Sequence, residues 1–389
     1  MVSESRRRKT SHGRGRKDYG KSLVLLTMVL VVAGLVVVYS ATAHISKDIT
    51  GDTERLFMRQ AEKALFGILL MIGISRLDYR KWGRLSKFLL WVSFALLLGL
   101  LILPEGHFLL GPSRSVSARR WYNIFGLSVQ PSEFARFAVI VWAADTAVRK
   151  GRSIEKFVKG TLPFIIVMAV ISFLVVIEPD LSQAILISLS LLALLYLAGS
   201  RSVHIISIIL VGIVVFFIFC RMEPYRWKRV KDHLGLSESS EEVGYQGRQS
   251  RIAIGSGGII GAGGGAGKQK LKYLPEAHKD FIFAIIGEEF GFIGAALLVM
   301  GYAYFGYLGL RIARTAKDRF GFYLSSGLVV MIILGATLNM LVVTVIFPAT
   351  GLTLPFISYG GSSLVVSLMS VGVLRNIARV SRGVSGRRE

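Results

Sequence analysis

An otherwise apolar stretch of the chain, LPEAHKDFIFAIIGEEFG, carries titratable side chains at two points. His278 and Asp280 lie where the apolar run begins, and Glu288 with Glu289 follows about two helical turns later. A carboxylate at such a boundary can take a proton as a general base, ligate a divalent cation, or stabilise the start of a helix through the helix dipole. These residues alone leave all three roles of Asp280 open.

Two other apolar segments also carry charged residues, which are costly at membrane depth and therefore mark functional or paired positions. Glu133 and Arg136 are three residues apart, so they share a helix face and are expected to form a structural ion pair. Lys63 lies inside another segment, where it either reaches back to the interface or lines a cavity. One of Glu288 and Glu289 is expected to anchor neighbouring spans by hydrogen bonds.

The glycine-rich string IGSGGIIGAGGGAGKQKLKYLP invites comparison with a phosphate-binding loop. A P-loop requires glycine where this chain has Ala262 and a hydroxyl residue where it has Gln269, so that reading fails. Two weaker interpretations remain. The backbone N–H groups beside Lys268 and Lys270 could cradle an anion, or the string could be a flexible linker.

Composition indicates what must position these residues. The chain has 389 residues, is 52% hydrophobic and has a mean hydropathy of +0.56. Its apolar residues come in blocks long enough to cross a bilayer as helices, so we predict an all-α polytopic membrane protein. The predicted spans are ten, at residues 21–41, 57–75, 86–103, 131–148, 161–177, 183–199, 203–221, 281–310, 320–347 and 359–378.

The formal net charge of +23 resides mainly between the apolar blocks, so it does not indicate nucleic-acid binding. Residues 1–20 form a basic tail, which places the N-terminus in the cytoplasm. With ten spans the C-terminal tail, 381–389, is cytoplasmic too, and residues 21–380 form one transmembrane domain. The long outer loop, 222–280, is basic, and an anionic ligand outside would explain its charge.

Four motifs carry a resemblance to a known family. They are PFISYGGSS at residues 355–363, LPEAHKDFIFAIIGEEFG, WYNIFGLSVQPSEFARFA and GYQGRQSRIAIGSGG. The chain resembles the SEDS family of bacterial envelope proteins, the FtsW, RodA and SpoVE group, and PEAH resembles the division branch more than the elongation branch. The resemblance implies a multi-pass protein of the cytoplasmic membrane that polymerises lipid II into peptidoglycan glycan strands. It also implies partnership with a class B penicillin-binding protein and with other division or elongation membrane proteins.

The same resemblance assigns the family's essential aspartate, in its H-T-D-F motif, to Asp280. The implied role is that of general base in an inverting glycosyl transfer. A Mg²⁺ or Mn²⁺ ion bridged through Asp280 stays open, and no cofactor is otherwise implied. The residues expected to bind substrate are Lys63, Arg119, Arg120, Arg248, Lys268, Lys270, His278 and Ser358.

Lys279 occupies the position where a threonine usually precedes the aspartate. A cation there is expected to lower the pKa of Asp280 and to weaken it as a base. Two other functions compete with the enzyme. A lipid II flippase needs a charged path across the membrane, and a non-catalytic scaffold for the transpeptidase needs no titrating Asp280.

Overall fold

The computed structural model describes residues 18–103, 120–124, 127–222, 227, 231, 243–271, 274–348 and 351–383. Arg119 and most of the basic tail lie outside these residues. The described part is almost entirely helical, with one short antiparallel hairpin. The helices are α1 Tyr19–Thr50, α2 Arg55–Arg76, α3 Arg80–Ile102, α4 Pro131–Lys150, α5 Leu162–Ile177, α6 Leu181–Leu197, α7 Ser202–Met222, α8 Val243–Gly257, α9 Ile282–Arg314, α10 Arg319–Val343 and α11 Gly361–Gly383; the strands are β1 Tyr122–Ile124 and β2 Leu127–Val129.

Local sequence explains where several helices begin. Asp18, Asp180 and Asp318 precede α1, α6 and α10, and each side chain accepts a hydrogen bond from a backbone N–H in the first turn. Pro131 opens α4, where its missing N–H costs nothing. These four helices therefore begin at residues suited to that position.

Each of the ten predicted spans coincides with a helix, and the all-α polytopic class is confirmed. Among the described residues, seven helices are long and apolar enough to cross a membrane. Helices α2 and α4 contain charged residues, and α6 has 17 residues. The count of ten spans therefore stays a prediction. Helix α8 was not predicted; it lies within the segment expected to be a loop.

The two ends of the helix bundle differ in charge. At one end Arg375 binds Asp18 at 2.9 Å and Arg80 binds Asp318 at 3.1 Å. The hairpin, the turn between α5 and α6, and residues 351–360 lie at the other end, with Asp280. Because basic residues remain on the cytoplasmic side, the first end faces the cytoplasm and the Asp280 end faces outward.

Helix α9 is broken near its outer end. Gly291 has φ 64° and ψ −162°, so the helical hydrogen bonds fail there. The glycine-rich string supplies the missing partners, since Ala262 and Gly263 donate to the carbonyls of Glu288 and Glu289 at 2.9 and 3.0 Å. The described part of the string is therefore neither a free linker nor an open phosphate cradle, which corrects both interpretations.

Candidate active site

Asp280 is held by its backbone just before α9 begins. Its N–H donates to the carbonyl of Glu276 at 3.2 Å, and its own carbonyl accepts from the side-chain amide of Asn339 at 2.8 Å. Asn339 lies on α10 and also donates to the carbonyl of Leu352 at 2.5 Å. One buried amide thus fixes Asp280 against residues 351–360, a role that the sequence analysis missed.

Residues 351–360 form the wall opposite Asp280. Gly351 has φ 70°, and a Cβ atom there would lie 3.3 Å from Oδ2 of Asp280, so glycine leaves the carboxylate room. The Ser358 hydroxyl accepts the N–H of Leu354 at 2.8 Å and is buried, while Gln60 donates to the Ser358 carbonyl at 3.2 Å. The Ser358 hydroxyl therefore supports the turn, and substrate binding by Ser358 stays a prediction.

His278, Tyr359 and Lys63 form a second side of the site. The Tyr359 N–H donates to the His278 carbonyl at 3.0 Å, and the two rings meet edge to face with centroids 5.4 Å apart. Lys63 Nζ lies 5.5 Å from the centroid of the Tyr359 ring. The structure therefore brings both Lys63 and His278 against the ring of Tyr359.

Two buried carboxyl groups and one arginine form the third side, at the turn between α5 and α6. Arg120 donates to the carbonyl of Glu178 at 3.0 Å and to that of Pro179. Asp180 accepts from the amide of Gln130 at 2.8 Å. Burial raises the pKa of Glu178 to about 9, with repulsion from Asp180 adding to the rise and Arg120 opposing it.

Burial also sets the titration of Asp280 itself. It raises the pKa of Asp280 to about 7; the negative charge of Glu276 adds to this, and Lys279 and Arg120 oppose it. Lys279 was expected to lower the pKa and weaken the base. Desolvation outweighs it, so the net shift is upward. Near neutral pH the carboxylate is both populated and basic, which suits a general base.

The His278 imidazole is neutral in the same environment. Burial lowers its pKa to about 4, with Lys279 adding to the fall and Glu276 opposing it. The residue is 7% exposed, and its Nδ1 atom has no hydrogen-bond partner among the described residues. A neutral ring with one unused nitrogen can donate to or accept from a substrate group.

Lys270, one of the lysines predicted to bind substrate, is paired with an acid inside the fold. Lys270 Nζ contacts Glu289 at 2.6 Å and the hydroxyl of Ser40 on α1 at 2.7 Å. Glu288 accepts the N–H groups of Lys268 and Gln269 at 2.7 and 3.2 Å. Lys270 is thus a buried anchor between the outer segment and α1, and these backbone N–H groups are already used.

The Lys268 and Arg248 side chains are both exposed, and Arg248 lies on α8. No described contact joins either residue to Asp280, so substrate binding by them stays a prediction.

Lys270→Met should loosen the glycine-rich segment. Without the ammonium, Glu289 is buried beside Ser40 alone, so we expect amide hydrogen exchange across residues 257–271 to accelerate by about tenfold or more. The exposed neighbour Lys268→Met is the control. Equal protection in both variants would show that the ion pair does not hold the segment.

The ion pair predicted within α4 is present behind this site. Arg136 Nη2 lies 2.6 Å from Glu133 Oε2, and both side chains are almost fully buried. Gln183 on α6 donates to the other Glu133 oxygen at 2.8 Å. The pair therefore joins α4 to α6 directly beneath the turn that carries Asp180.

Among the described residues, no group of three or more His, Cys, Asp or Glu side chains could hold a metal ion. Mg²⁺ can use one or two carboxylates together with substrate phosphates. The ion bridged through Asp280 therefore stays a prediction.

The family comparison identifies the chain. Residues 21–383 match the model of the cell cycle protein family that comprises FtsW, RodA and SpoVE. The chain belongs to this family. It is accordingly a multi-pass protein of the cytoplasmic membrane; its composition predicted the multiple spans, and the resemblance implied which membrane.

Relatives that match nearly the whole chain support the same family assignment. The chain is 37% identical over 361 residues to a probable peptidoglycan glycosyltransferase FtsW of Trichlorobacter lovleyi, covering 93% of each protein. It is 37% identical over 360 residues to the stage V sporulation protein E of Bacillus subtilis, covering 92% of this chain and 97% of that one.

Solved structures share the fold. One is a chain of a peptidoglycan synthase complex whose structure concerns the coordination of polymerization and crosslinking. It superposes with a TM-score of 0.76 at 24% identity, covering 93% of this chain and 98% of that one. The rod shape determining protein RodA of Thermus thermophilus superposes with a TM-score of 0.67 at 23% identity, covering 93% and 97%.

Proposed function

We propose that this protein polymerises lipid II, an undecaprenyl-pyrophosphate-linked disaccharide pentapeptide, into peptidoglycan glycan strands at the outer face of the membrane. The observation that carries the proposal is the Asp280 carboxyl, desolvated to a pKa of about 7 at the outward end of the bundle and within electrostatic range of Arg120. The similarity to a probable peptidoglycan glycosyltransferase FtsW supports the same class of reaction.

The chemistry needs one base. The 4-hydroxyl of the acceptor sugar attacks the anomeric carbon of the donor, and Asp280 takes the hydroxyl proton as the new C–O bond forms. The bond between the anomeric carbon and the pyrophosphate oxygen breaks, and undecaprenyl pyrophosphate departs with that electron pair. A single displacement turns the α linkage into a β linkage.

Cations rather than an acid are suited to the leaving group, because pyrophosphate already carries its negative charge easily. Arg120 lies within electrostatic range of Asp280 and Lys63 lies over the ring of Tyr359, and these two cations would stabilise the departing pyrophosphate. The neutral His278 ring would orient a sugar or phosphate oxygen through its unused nitrogen.

The pH dependence of polymerisation follows from the direction of the Asp280 shift. The base is the deprotonated form, so the rate is expected to rise with pH, to reach half its maximum near pH 7, and then to level off. The measurement is the initial rate of glycan formation from pH 5.5 to 8.5 with lipid II at saturation. A rate already flat between pH 5.5 and 7 would contradict a base with this pKa.

The direct test is reconstitution of the full chain with its class B penicillin-binding protein and fluorescent lipid II, followed by electrophoresis of the glycan products. We expect a ladder of polymers when the transpeptidase is blocked with a β-lactam, because polymerisation belongs to this chain. No ladder would reject the proposal. Translocation of inward-facing lipid II in sealed vesicles, without polymer, would favour the flippase.

A further inference from the structure

The cytoplasmic end of the bundle contains a second site, far from Asp280. An open groove of about 480 Å³ lies between the first turns of α3, the last turns of α4 and the start of α10. Its charged lining consists of four cationic side chains and one carboxylate: Arg80, Arg84, Lys87, Arg149 and Asp145. We call this feature the inner groove.

Two of the four cations are fixed in place by acids. Asp145 binds Arg149 at 2.7 Å and also accepts from the Ser86 hydroxyl at 2.6 Å. Asp318 binds Arg80 at 3.1 Å. These carboxylates are occupied by their own partners, and they hold the rim of the inner groove in a defined shape.

The other two cations, Arg84 and Lys87, have no acidic partner within the described part of the chain. Both side chains are exposed, and they lie three residues apart on one face of α3. The floor beneath them is the ring of Phe320, which lies 3.3 Å from the position of a Cβ atom at Gly83. The inner groove therefore has an excess of positive charge, and the Phe320 ring forms its floor.

An apolar stripe continues from these cations into the membrane. Phe88 and Trp91 follow Arg84 at helical spacing, and they are 64% and 68% exposed. Trp91 lies about 10 Å deeper along the helix axis than Arg84. At the membrane boundary, cations that can bind an anionic headgroup thus lie next to an exposed apolar helix face that acyl chains can contact. An anionic lipid requires this arrangement.

We propose that the inner groove binds the headgroup phosphate of an anionic phospholipid, with the acyl chains lying along Phe88 and Trp91. Arg84 and Lys87 contact the phosphate, and Arg149 and Arg80 define the rim. This inference does not depend on the proposed polymerase activity. Free phosphate shares the charge but lacks the chains, so the apolar stripe distinguishes the two ligands.

The test is tryptophan quenching in nanodiscs that contain brominated lipid. With the full chain, brominated phosphatidylglycerol should quench Trp91 more strongly than brominated phosphatidylcholine, and Trp91→Phe should remove that difference. Neutralising both cations in Arg84→Gln/Lys87→Gln should lower the preference for phosphatidylglycerol by about 30-fold, because each cation near an anionic surface contributes a factor of about five.

The matched control is Arg152→Gln/Lys156→Gln, which removes the same charge from the same side of the membrane but outside the groove lining. It should retain the preference. Equal quenching by the two lipids in the unsubstituted chain, or an unchanged preference in the Arg84 and Lys87 variant, would overturn the proposal. Loss of the difference on adding inorganic phosphate alone would show a free-phosphate site and would also overturn it.

Discussion

Asp280→Asn is expected to reduce glycan polymerisation by about a hundredfold to ten-thousandfold, the contribution typical of a positioned general base. Asparagine has the same shape and keeps the backbone contacts to Glu276 and Asn339. It cannot accept a proton at neutral pH. The measurement is the single-turnover rate of bond formation from lipid II in the reconstituted complex.

The Asp280→Asn substitution should not unfold the protein, so a loss of polymerisation can be distinguished from a loss of stability. Folding raises the pKa of Asp280 from 3.8 to about 7, so stability falls as the pH rises between these two values, and the full cost of the charged carboxylate applies above about pH 7. Removing that charge should leave the melting temperature at pH 8 unchanged or raise it. An Asp280→Asn protein that polymerises at the unsubstituted rate would reduce Asp280 to a structural residue and favour the scaffold.

Arg136→Ala is expected to lower the free energy of unfolding by about 3–5 kcal/mol, because it leaves Glu133 buried without its cation. The partner amide of Gln183 cannot neutralise that carboxylate. The loss should appear as a lower midpoint in a detergent or denaturant titration followed by intrinsic fluorescence. We also expect lower polymerisation, since α4 and α6 support the turn that carries Asp180.

Arg149→Ala is the matched control for that variant. Arg149 lies on the same helix and also binds an acid, Asp145, at 2.7 Å, but its side chain is 46% exposed. An exposed pair of this kind contributes about 0–1 kcal/mol. Similar losses in the two variants would mean that burial does not determine the importance of the α4 ion pair.

The sequence predicted the features that depend on local spacing. Apolar runs of bilayer length marked the spans, and the spacing of three between Glu133 and Arg136 marked their ion pair. Anchoring of a neighbouring span by one of the paired glutamates was also expected, and Glu289 accepts from Ser40 on α1 at 2.7 Å. Each of these depends on residues whose side chains point in directions that a helix fixes.

Features that depend on distant backbone groups could not be read in the same way. The break at Gly291 is stabilised by the glycine-rich string, more than 25 residues earlier, through main-chain hydrogen bonds that leave no side-chain signal. Lys270 lies in a basic, glycine-rich segment typical of phosphate binding, but its ammonium group binds Glu289. Asn339 lies 59 residues from Asp280 in sequence. Asn339 is a single amide in an otherwise apolar span, and that feature could have indicated its structural role.

The most direct test of Asp280 as the base is to move its pKa from outside and follow the rate. Glu276 raises that pKa and Lys279 lowers it, and the two side chains bind each other at 2.7 Å. The measurement is the pH dependence of polymerisation for Glu276→Gln and Lys279→Met beside the unsubstituted chain. We predict that the rising limb near pH 7 moves to lower pH in Glu276→Gln and to higher pH in Lys279→Met. If the rate rises over the same pH range in all three proteins, the account is contradicted, because the titrating base would then not be Asp280.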